Sequence, residues 1–150
     1  MVQLVPGQHI HLIGIGGFGM SAIARVLLQQ GFYVTGSDDR LNDLTRALER
    51  EGAIIQQGRD AAHIGGAEMV IISSAVSREH EEVISAFAKG IPVYKRQDML
   101  EAIMRGYEGI AVAGTHGKTT TTAMITHILL ETSKSPSYIV GGVMANMDPK

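Results

Sequence analysis

Short apolar runs alternate with amphipathic stretches along most of the chain. Runs rich in β-branched residues, such as Val70–Ile72, predict buried strands, and apolar residues spaced three or four apart predict helices. The predicted strands are His9–Ile15, Phe32–Ser37, Ala53–Gln56, Met69–Ser73, Ile91–Tyr94, Ile110–Ala113 and Tyr138–Val140, and the predicted helices are Gly19–Gln30, Asp43–Glu51, Glu79–Lys89, Gln97–Arg105 and Lys118–Glu131.

Strands that alternate with helices predict an α/β fold, with a Rossmann-like parallel sheet and helices on both faces. Five strand–helix units fit within residues 1–105, which predicts a complete doubly wound domain. Residues 106–109 are typical of a linker, and residues 110–150 hold the first elements of a P-loop ATPase-type domain. A strand without neighbours is unstable, so we expect this incomplete segment to dock on the first domain, to pair with a second copy as a homodimer, or to be mobile.

Composition excludes several classes of protein. Of the 150 residues, 45% are hydrophobic and 19% are charged, as in folded globular chains. The net charge of −2 provides no basic excess for nucleic acid or an anionic membrane surface. No apolar run approaches the ~20 residues of a membrane span, and cysteine is absent. We therefore expect a cytoplasmic protein with no nucleic-acid or membrane partner.

Glycine accounts for 18 residues, and the first of two glycine-rich turns is Gly14–Gly19. Its GxGxxG spacing between a strand and a helix predicts a nucleotide diphosphate site, because we expect the free N–H groups of Gly17, Phe18 and Gly19 at the helix start to face the anion. Asp38 follows the next strand, where an acid binds ribose hydroxyls; a turn or capping role is the alternative. Ser73 and Ser74 end the fourth strand at the same edge, either as ligand contacts or as caps.

The second glycine-rich turn contains Gly117-Lys118-Thr119, the core of a phosphate loop. In such a loop the backbone amides hold phosphate oxygens, Lys118 supplies a positive charge and the Thr119 hydroxyl ligates Mg²⁺. The usual GxxxxGK spacing would need glycine at position 112, which is Val112, so the loop is a variant. The segment predicts nucleoside triphosphate binding.

A phosphate loop also needs an acidic Mg²⁺ ligand from another strand end. The acids that follow the loop are Glu131, far along its own helix, and Asp148, in the tail, and neither position suits this role. His9 and His11 share one face of a predicted strand, but no third ligand is evident, which favours packing over a metal site.

Two different phosphate sites in tandem resemble the Mur ligases of bacterial cell-wall synthesis. The resemblance extends from about His9 to Gly142. It is carried by HLIGIGGFGMSAIA (11–24), VTGSD (34–38), VIISSAVS (70–77), IPVYKRQDML (91–100) and IAVAGTHGKTTTTAM (110–124).

The resemblance implies a three-domain enzyme that uses ATP and Mg²⁺ to activate a muramic acid carboxylate as an acyl phosphate, which an amine then attacks. It implies UDP-N-acetylmuramate and L-alanine as substrates; the murein tripeptide branch of the family is the alternative. The implied substrate-binding residues are Gly16, Gly17, Phe18, Gly19, Met20, Ser37, Asp38, Ser73 and Ser74. The implied ATP-binding residues are Gly114, Thr115, His116, Gly117, Lys118, Thr119 and Thr120, with Lys118 and Thr119 as catalytic residues and Thr119 as the Mg²⁺ ligand.

Some positions depart from the family pattern. Arg59 stands where relatives usually carry histidine, and His80-Glu81 stands where they often carry Asn-Pro, so these residues receive no role. No segment resembles the later acidic ligand or the amino-acid domain, so we expect the chain alone to be inactive in ligation. An NAD-binding dehydrogenase module and a small regulatory nucleotide-binding protein are the rival interpretations; the second phosphate loop argues against the dehydrogenase module.

Overall fold

A computed structural model describes residues 2–105 and 107–142. Its centre is a five-stranded sheet in which all paired strands are parallel. The elements in chain order are β1 His9–Ile13, α1 Phe18–Gln29, β2 Tyr33–Asp38, α2 Asp43–Arg50, β3 Ile54–Gln57, β4 Met69–Ile72, α3 Glu81–Ala88, β5 Val93–Lys95, α4 Arg96–Met104 and α5 Lys118–Glu131.

The strand order is β3-β2-β1-β4-β5. The chain steps outward from β1 to β3, returns to the other side of β1 with β4, and continues outward to β5. Parallel strands bring their carboxyl ends to one edge, and a crevice forms where the winding direction reverses, between β1 and β4. This topology confirms the predicted Rossmann-like α/β fold.

Helices cover both faces of the sheet, as predicted. One face packs a large apolar cluster that includes Leu12 of β1, Ile71 of β4, Leu27 of α1, Leu48 of α2 and Met99 of α4. The opposite face packs a smaller cluster against α3. Every residue of β1 and β4 is buried. The sequence of β4 accordingly lacks the polar alternation of a half-exposed strand, whereas β1 buries His9 and His11 on one of its two faces.

Two strand predictions are wrong. Residues 110–113 and 138–140 form no strand in the structure, whereas α5 has the predicted bounds Lys118–Glu131. A parallel strand needs neighbours for its backbone groups, and Ile110 is 62% exposed. Ile139 packs against the larger apolar cluster, so part of this segment contacts the first domain. Pairing with a second copy stays a prediction.

Parts of the predicted domain division fall on residues that are not described. Residue 106 of the predicted linker and residues 143–150 of the predicted second segment, with Asp148, lie outside the described residues. Among the helices that the structure does describe, none combines the length and the apolar character needed to cross a bilayer.

A candidate nucleotide-binding cleft

An open cleft of about 460 Å³ lies at the carboxyl edge of the sheet, next to the reversal point between β1 and β4. This volume falls in the usual range for small-molecule sites. The cleft brings together the first glycine-rich turn, the end of β2 and the segment after β4. Its lining residues are Ile13, Gly14, Gly16, Gly17, Ser37, Asp38, Asp39, Arg40, Asn42, Gly58, Arg59, Ser73, Ala75, Val76, Ser77 and His80.

The first glycine-rich turn is held by the backbone of β2. The carbonyl oxygen of Ser37 accepts hydrogen bonds from the N–H groups of Gly14, at 2.8 Å, and Ile15, at 3.1 Å. Gly14 adopts φ +78°, and a Cβ there would lie 2.9 Å from the Ser73 hydroxyl oxygen. Glycine is therefore required at position 14 by both backbone conformation and space.

The start of α1 faces the cleft without a side-chain cap. The N-cap residue is Gly17, and the first turn contains no acid. The N–H of Gly17 is used internally, since it donates to the Gly14 carbonyl at 3.3 Å, which corrects the expectation that it is available. For the N–H groups of Phe18 and Gly19, the described residues offer no backbone acceptor, so both donors are open, although neither residue is among those that line the cleft.

Asp38 holds the same turn from the side of β2. Its carboxylate accepts hydrogen bonds from the N–H groups of Gly16, at 2.8 Å, and Arg40, at 3.1 Å. The side-chain amide of Asn42 donates to the Gly16 carbonyl at 3.0 Å. Asp38 thus lines the cleft and holds the turn, which supports the turn role that the sequence left open, while ribose binding stays a prediction.

Sequence reasoning missed Asn42, although a signal was present. Its side-chain oxygen accepts from the N–H groups of Leu44 and Thr45, and the Thr45 hydroxyl accepts from the Asn42 N–H. This is a capping box, and its signal in the sequence is asparagine, a preferred N-cap residue, directly before the predicted helix. The cap orients Asn42 so that its amide also reaches the glycine-rich turn.

The remaining predicted substrate residues occupy different environments. The Ser37 hydroxyl is buried and donates to Glu82 at 2.7 Å, so only its backbone faces the turn. Met20 is 2% exposed and packs in the core. Phe18 is half exposed at the turn. Ser73 lines the cleft, whereas Ser74 is exposed and is not among the lining residues.

The lining of the cleft also includes charged residues without a predicted role. Arg59 donates two hydrogen bonds to Asp39, at 2.9 and 2.6 Å. These hydrogen bonds are the main cause that lowers the pKa of the Asp39 carboxyl, although burial opposes it. His80 also lines the cleft, and its buried Nδ1 has no hydrogen-bond partner among the described residues.

The second glycine-rich turn lies at the start of α5 and is exposed. Gly117, the N-cap residue, adopts the left-handed conformation with φ 77° and provides no side-chain cap. The Lys118 ammonium donates to the carbonyl oxygens of Gly114, at 2.5 Å, and Thr115, at 3.2 Å. A phosphate would find open helix N–H groups, and it would compete with these carbonyls for the ammonium.

These features have their counterpart in a protein family. Residues 9–108 match the model of the Mur ligase family, catalytic domain, and the chain belongs to this family. It is 52% identical over 143 residues to the UDP-N-acetylmuramate–L-alanine ligase of Chlorobium phaeobacteroides (strain BS1), a match that covers 95% of this chain and 31% of that protein. The chain thus spans about a third of the length of this curated relative.

Solved structures agree with the sequence comparison. The UDP-N-acetylmuramate-alanine ligase of Thermotoga maritima superposes with a TM-score of 0.88 at 34% identity, over 93% of this chain and 33% of that one. A murein peptide ligase of Psychrobacter arcticus superposes with a TM-score of 0.79 at 35% identity, over 84% of this chain and 27% of that one. Each of these two matches covers more than four fifths of this chain.

Proposed function

We propose that this chain is the substrate- and phosphate-binding part of an ATP-dependent ligase that joins L-alanine to UDP-N-acetylmuramate. In this proposal residues 1–105 bind the UDP moiety and residues 110–150 begin the ATP-binding domain. The observation that carries the proposal is the 52% identity to a UDP-N-acetylmuramate–L-alanine ligase, because the match covers 95% of the chain. The nucleotide substrates and the absence of cysteine favour a cytoplasmic location.

The geometry of the cleft supports binding of a nucleoside diphosphate. The N–H groups of Phe18 and Gly19 and the positive end of the α1 dipole would bind the diphosphate. Gly17 lets the backbone approach it closely, because the described structure leaves the space beside its Cα open, with the nearest atom to an added Cβ at 3.6 Å. Asp38 keeps the turn in place and presents its carboxylate to the ribose side.

The second glycine-rich turn fits the phosphates of ATP. ATP would supply the phosphoryl group that activates the substrate carboxylate as an acyl phosphate. Lys118 would leave its carbonyl contacts to neutralise charge on the transferred group, and the backbone N–H groups at the start of α5 would hold the neighbouring phosphate oxygens.

Mg²⁺ remains a proposed cofactor on the strength of the family alone. Thr119 offers one hydroxyl ligand, and within residues 2–105 and 107–142 no group of three His, Cys, Asp or Glu side chains could complete a metal site. The acidic ligand would have to come from outside the described residues. We therefore assign Mg²⁺ no step in this chain.

Calorimetric titration of the chain with four ligands tests the proposal. UDP-N-acetylmuramate and UDP should bind, and UMP should bind more weakly because it lacks the second phosphate. NAD should not bind measurably. Tighter binding of NAD than of UDP would instead support the dehydrogenase interpretation.

The murein tripeptide branch is the second candidate, and the TM-score of 0.79 to a murein peptide ligase favours it. Both branches would place UDP-N-acetylmuramate in the same cleft, so nucleotide binding does not separate them. An ADP-release assay separates the two branches. It uses a longer protein that contains this chain and compares L-alanine with a murein tripeptide as the amine substrate. Faster release with the tripeptide would overturn the L-alanine assignment.

A further inference from the structure

A set of mostly buried polar side chains links α3 to the sheet, and one of its members, Ser37, also lines the cleft. At the centre of this set is Glu82, in the first turn of α3, whose side chain is fully buried. One carboxylate oxygen accepts hydrogen bonds from His11 Nε2, at 2.9 Å, and from the Ser37 hydroxyl, at 2.7 Å. The other lies 3.4 Å from His63 Nδ1. We call this set the Glu82 network; it consists of Glu82, His11, Ser37, His63, Thr35 and His9.

Glu82 is negatively charged at neutral pH. Burial is the largest influence on its pKa and raises it, but the hydrogen bonds from His11 and Ser37, together with electrostatic interactions with His11 and His80, outweigh burial. The net result is a pKa below the ordinary value. A buried carboxylate is costly unless it is fully hydrogen-bonded, and apolar replacement of a buried ionic group is often neutral or stabilising. Stability alone is therefore a weak explanation for this residue.

The network connects α3 to β1 and β2, two of the strands that border the cleft. His11 belongs to β1, three residues before Gly14, and Ser37 belongs to the end of β2. The Ser37 backbone oxygen holds the N–H groups of Gly14 and Ile15 at 2.8 and 3.1 Å, while its hydroxyl is held by Glu82. Ser37 is thus bound on one side to the buried carboxylate and on the other to the glycine-rich turn.

We propose that Glu82 is a positioning residue of the nucleotide cleft, which holds Ser37 and His11 so that β1 and β2 present the turn Gly14–Gly19 in its anion-binding conformation. Glu82 contacts no ligand itself, because its side chain is fully buried. This inference rests on the proposed function, since it names a residue on which affinity at that same site depends.

The test compares Glu82→Gln with Glu81→Gln. The two residues are adjacent in the first turn of α3, but Glu81 is exposed, so the control removes the same charge outside the network. Glutamine keeps the size of Glu82 but accepts weaker hydrogen bonds from His11 and Ser37. We expect UDP to bind Glu82→Gln about three- to tenfold more weakly and Glu81→Gln within about twofold of the unmodified chain. In the ligand-free proteins, the NMR amide signals of Gly14 and Ile15 should shift only in Glu82→Gln.

A double-mutant cycle separates positioning from packing. Ser37→Ala removes the hydroxyl but keeps the carbonyl that holds Gly14. If Glu82 acts through Ser37, Glu82→Gln should cause a smaller loss of UDP affinity in the Ser37→Ala background than in the unmodified chain. A folded Glu82→Gln protein with unchanged UDP affinity and unchanged Gly14 and Ile15 amide signals would overturn the proposal.

Two further outcomes are possible, and each still tests a proposal. If Glu82→Gln does not fold, Ser37→Ala alone must weaken UDP binding and shift the Gly14 and Ile15 amide signals, and unchanged values overturn the proposal. If the unmodified chain does not bind UDP, the proposed function fails. The ligand-free amide signals then still test whether Glu82 positions the turn.

Discussion

The Asp38 carboxylate accepts a hydrogen bond of 2.8 Å from the backbone N–H of Gly16. The acid that the sequence suggests for ribose hydroxyls therefore already has a structural role before any ligand binds. Its other oxygen accepts from the N–H of Arg40, so both oxygens orient backbone at the mouth of the cleft.

Replacing Asp38 with alanine should therefore weaken both folding and binding. Hydrogen bonds to a charged acceptor contribute roughly 1.5–3 kcal/mol each when buried, and this pair is only partly buried, so we expect a loss of about 1–2 kcal/mol in the free energy of unfolding. UDP affinity should fall as well. Urea unfolding and calorimetry measure the two effects, and an unchanged urea midpoint would show that the contacts to Gly16 and Arg40 contribute nothing to folding.

Gly17→Ala should separate binding from folding. The residue has ordinary backbone angles, φ −75° and ψ 144°, and an added Cβ would come no closer than 3.6 Å to another atom, so the urea midpoint should hardly change. The same Cβ would occupy the space where the diphosphate approaches the backbone, and UDP affinity should fall at least about tenfold. Full affinity in the folded variant would contradict the placement of the diphosphate.

Gly14→Ala is the contrasting variant in the same turn. Its left-handed backbone, φ +78°, and the Ser73 hydroxyl 2.9 Å from the added Cβ should cost about 1–2 kcal/mol of stability. Thermal unfolding measures this loss. A variant as stable as the unmodified chain would show that the turn relaxes to a different conformation.

Stability should fall in acid in two stages. Burial is the main cause that lowers the pKa of His9, with His11 adding and with the Gly66 carbonyl and Glu68 opposing. Below about pH 6.5, His9 therefore binds a proton more readily in the unfolded chain than in the folded chain. The stability that His9 contributes above this pH is lost as the pH falls towards its lowered pKa. Glu82 contributes a second stage, because its pKa is lower in the folded chain than in the unfolded chain. Its contribution is complete above about pH 4.5 and is lost as the pH falls through the lowered pKa of the folded chain.

Urea midpoints between about pH 2 and 8 measure both stages. His9→Gln removes the first titration and should flatten the slope between pH 5 and 7, whereas His116→Gln, at an exposed position, should leave the slope unchanged. An identical slope in His9→Gln would contradict the assignment of the first stage to His9.

Lys118→Ala should affect nucleotide binding and leave folding intact. The side chain is exposed and contacts only carbonyls of its own loop among the described residues, so stability should change by less than about 0.5 kcal/mol. Mg-ATP should bind the unmodified chain weakly, and the variant more weakly still. L-Alanine-dependent ADP release with UDP-N-acetylmuramate should be absent in both. Turnover that Lys118→Ala abolishes would show that the chain holds a complete active site.

Structural features that depend on a local residue pattern could be predicted from the sequence. Features that depend on contacts between distant elements could not. The glycine-rich turns and the five strands of the sheet follow from residue spacing and β-branched runs. Residues 110–113 have the same pattern as those strands but no neighbour to pair with, so they form none. Glu82 resembles a solvated acid in the first turn of a helix, and only the packing of α3 against β1 and β2 shows that it is buried.

The Glu82 network also has a consequence for how the sheet assembles. In β1 the two histidines face α3, while Ile10 and Leu12 face the larger apolar cluster. A shift of one residue in the pairing of β1 would turn both imidazoles into that cluster and leave Glu82 without its donor from His11. Because both faces of β1 are buried, a β1 made only of apolar residues would remain buried after such a shift. The histidines make the misaligned sheet costly, so they select a single alignment of the central strand.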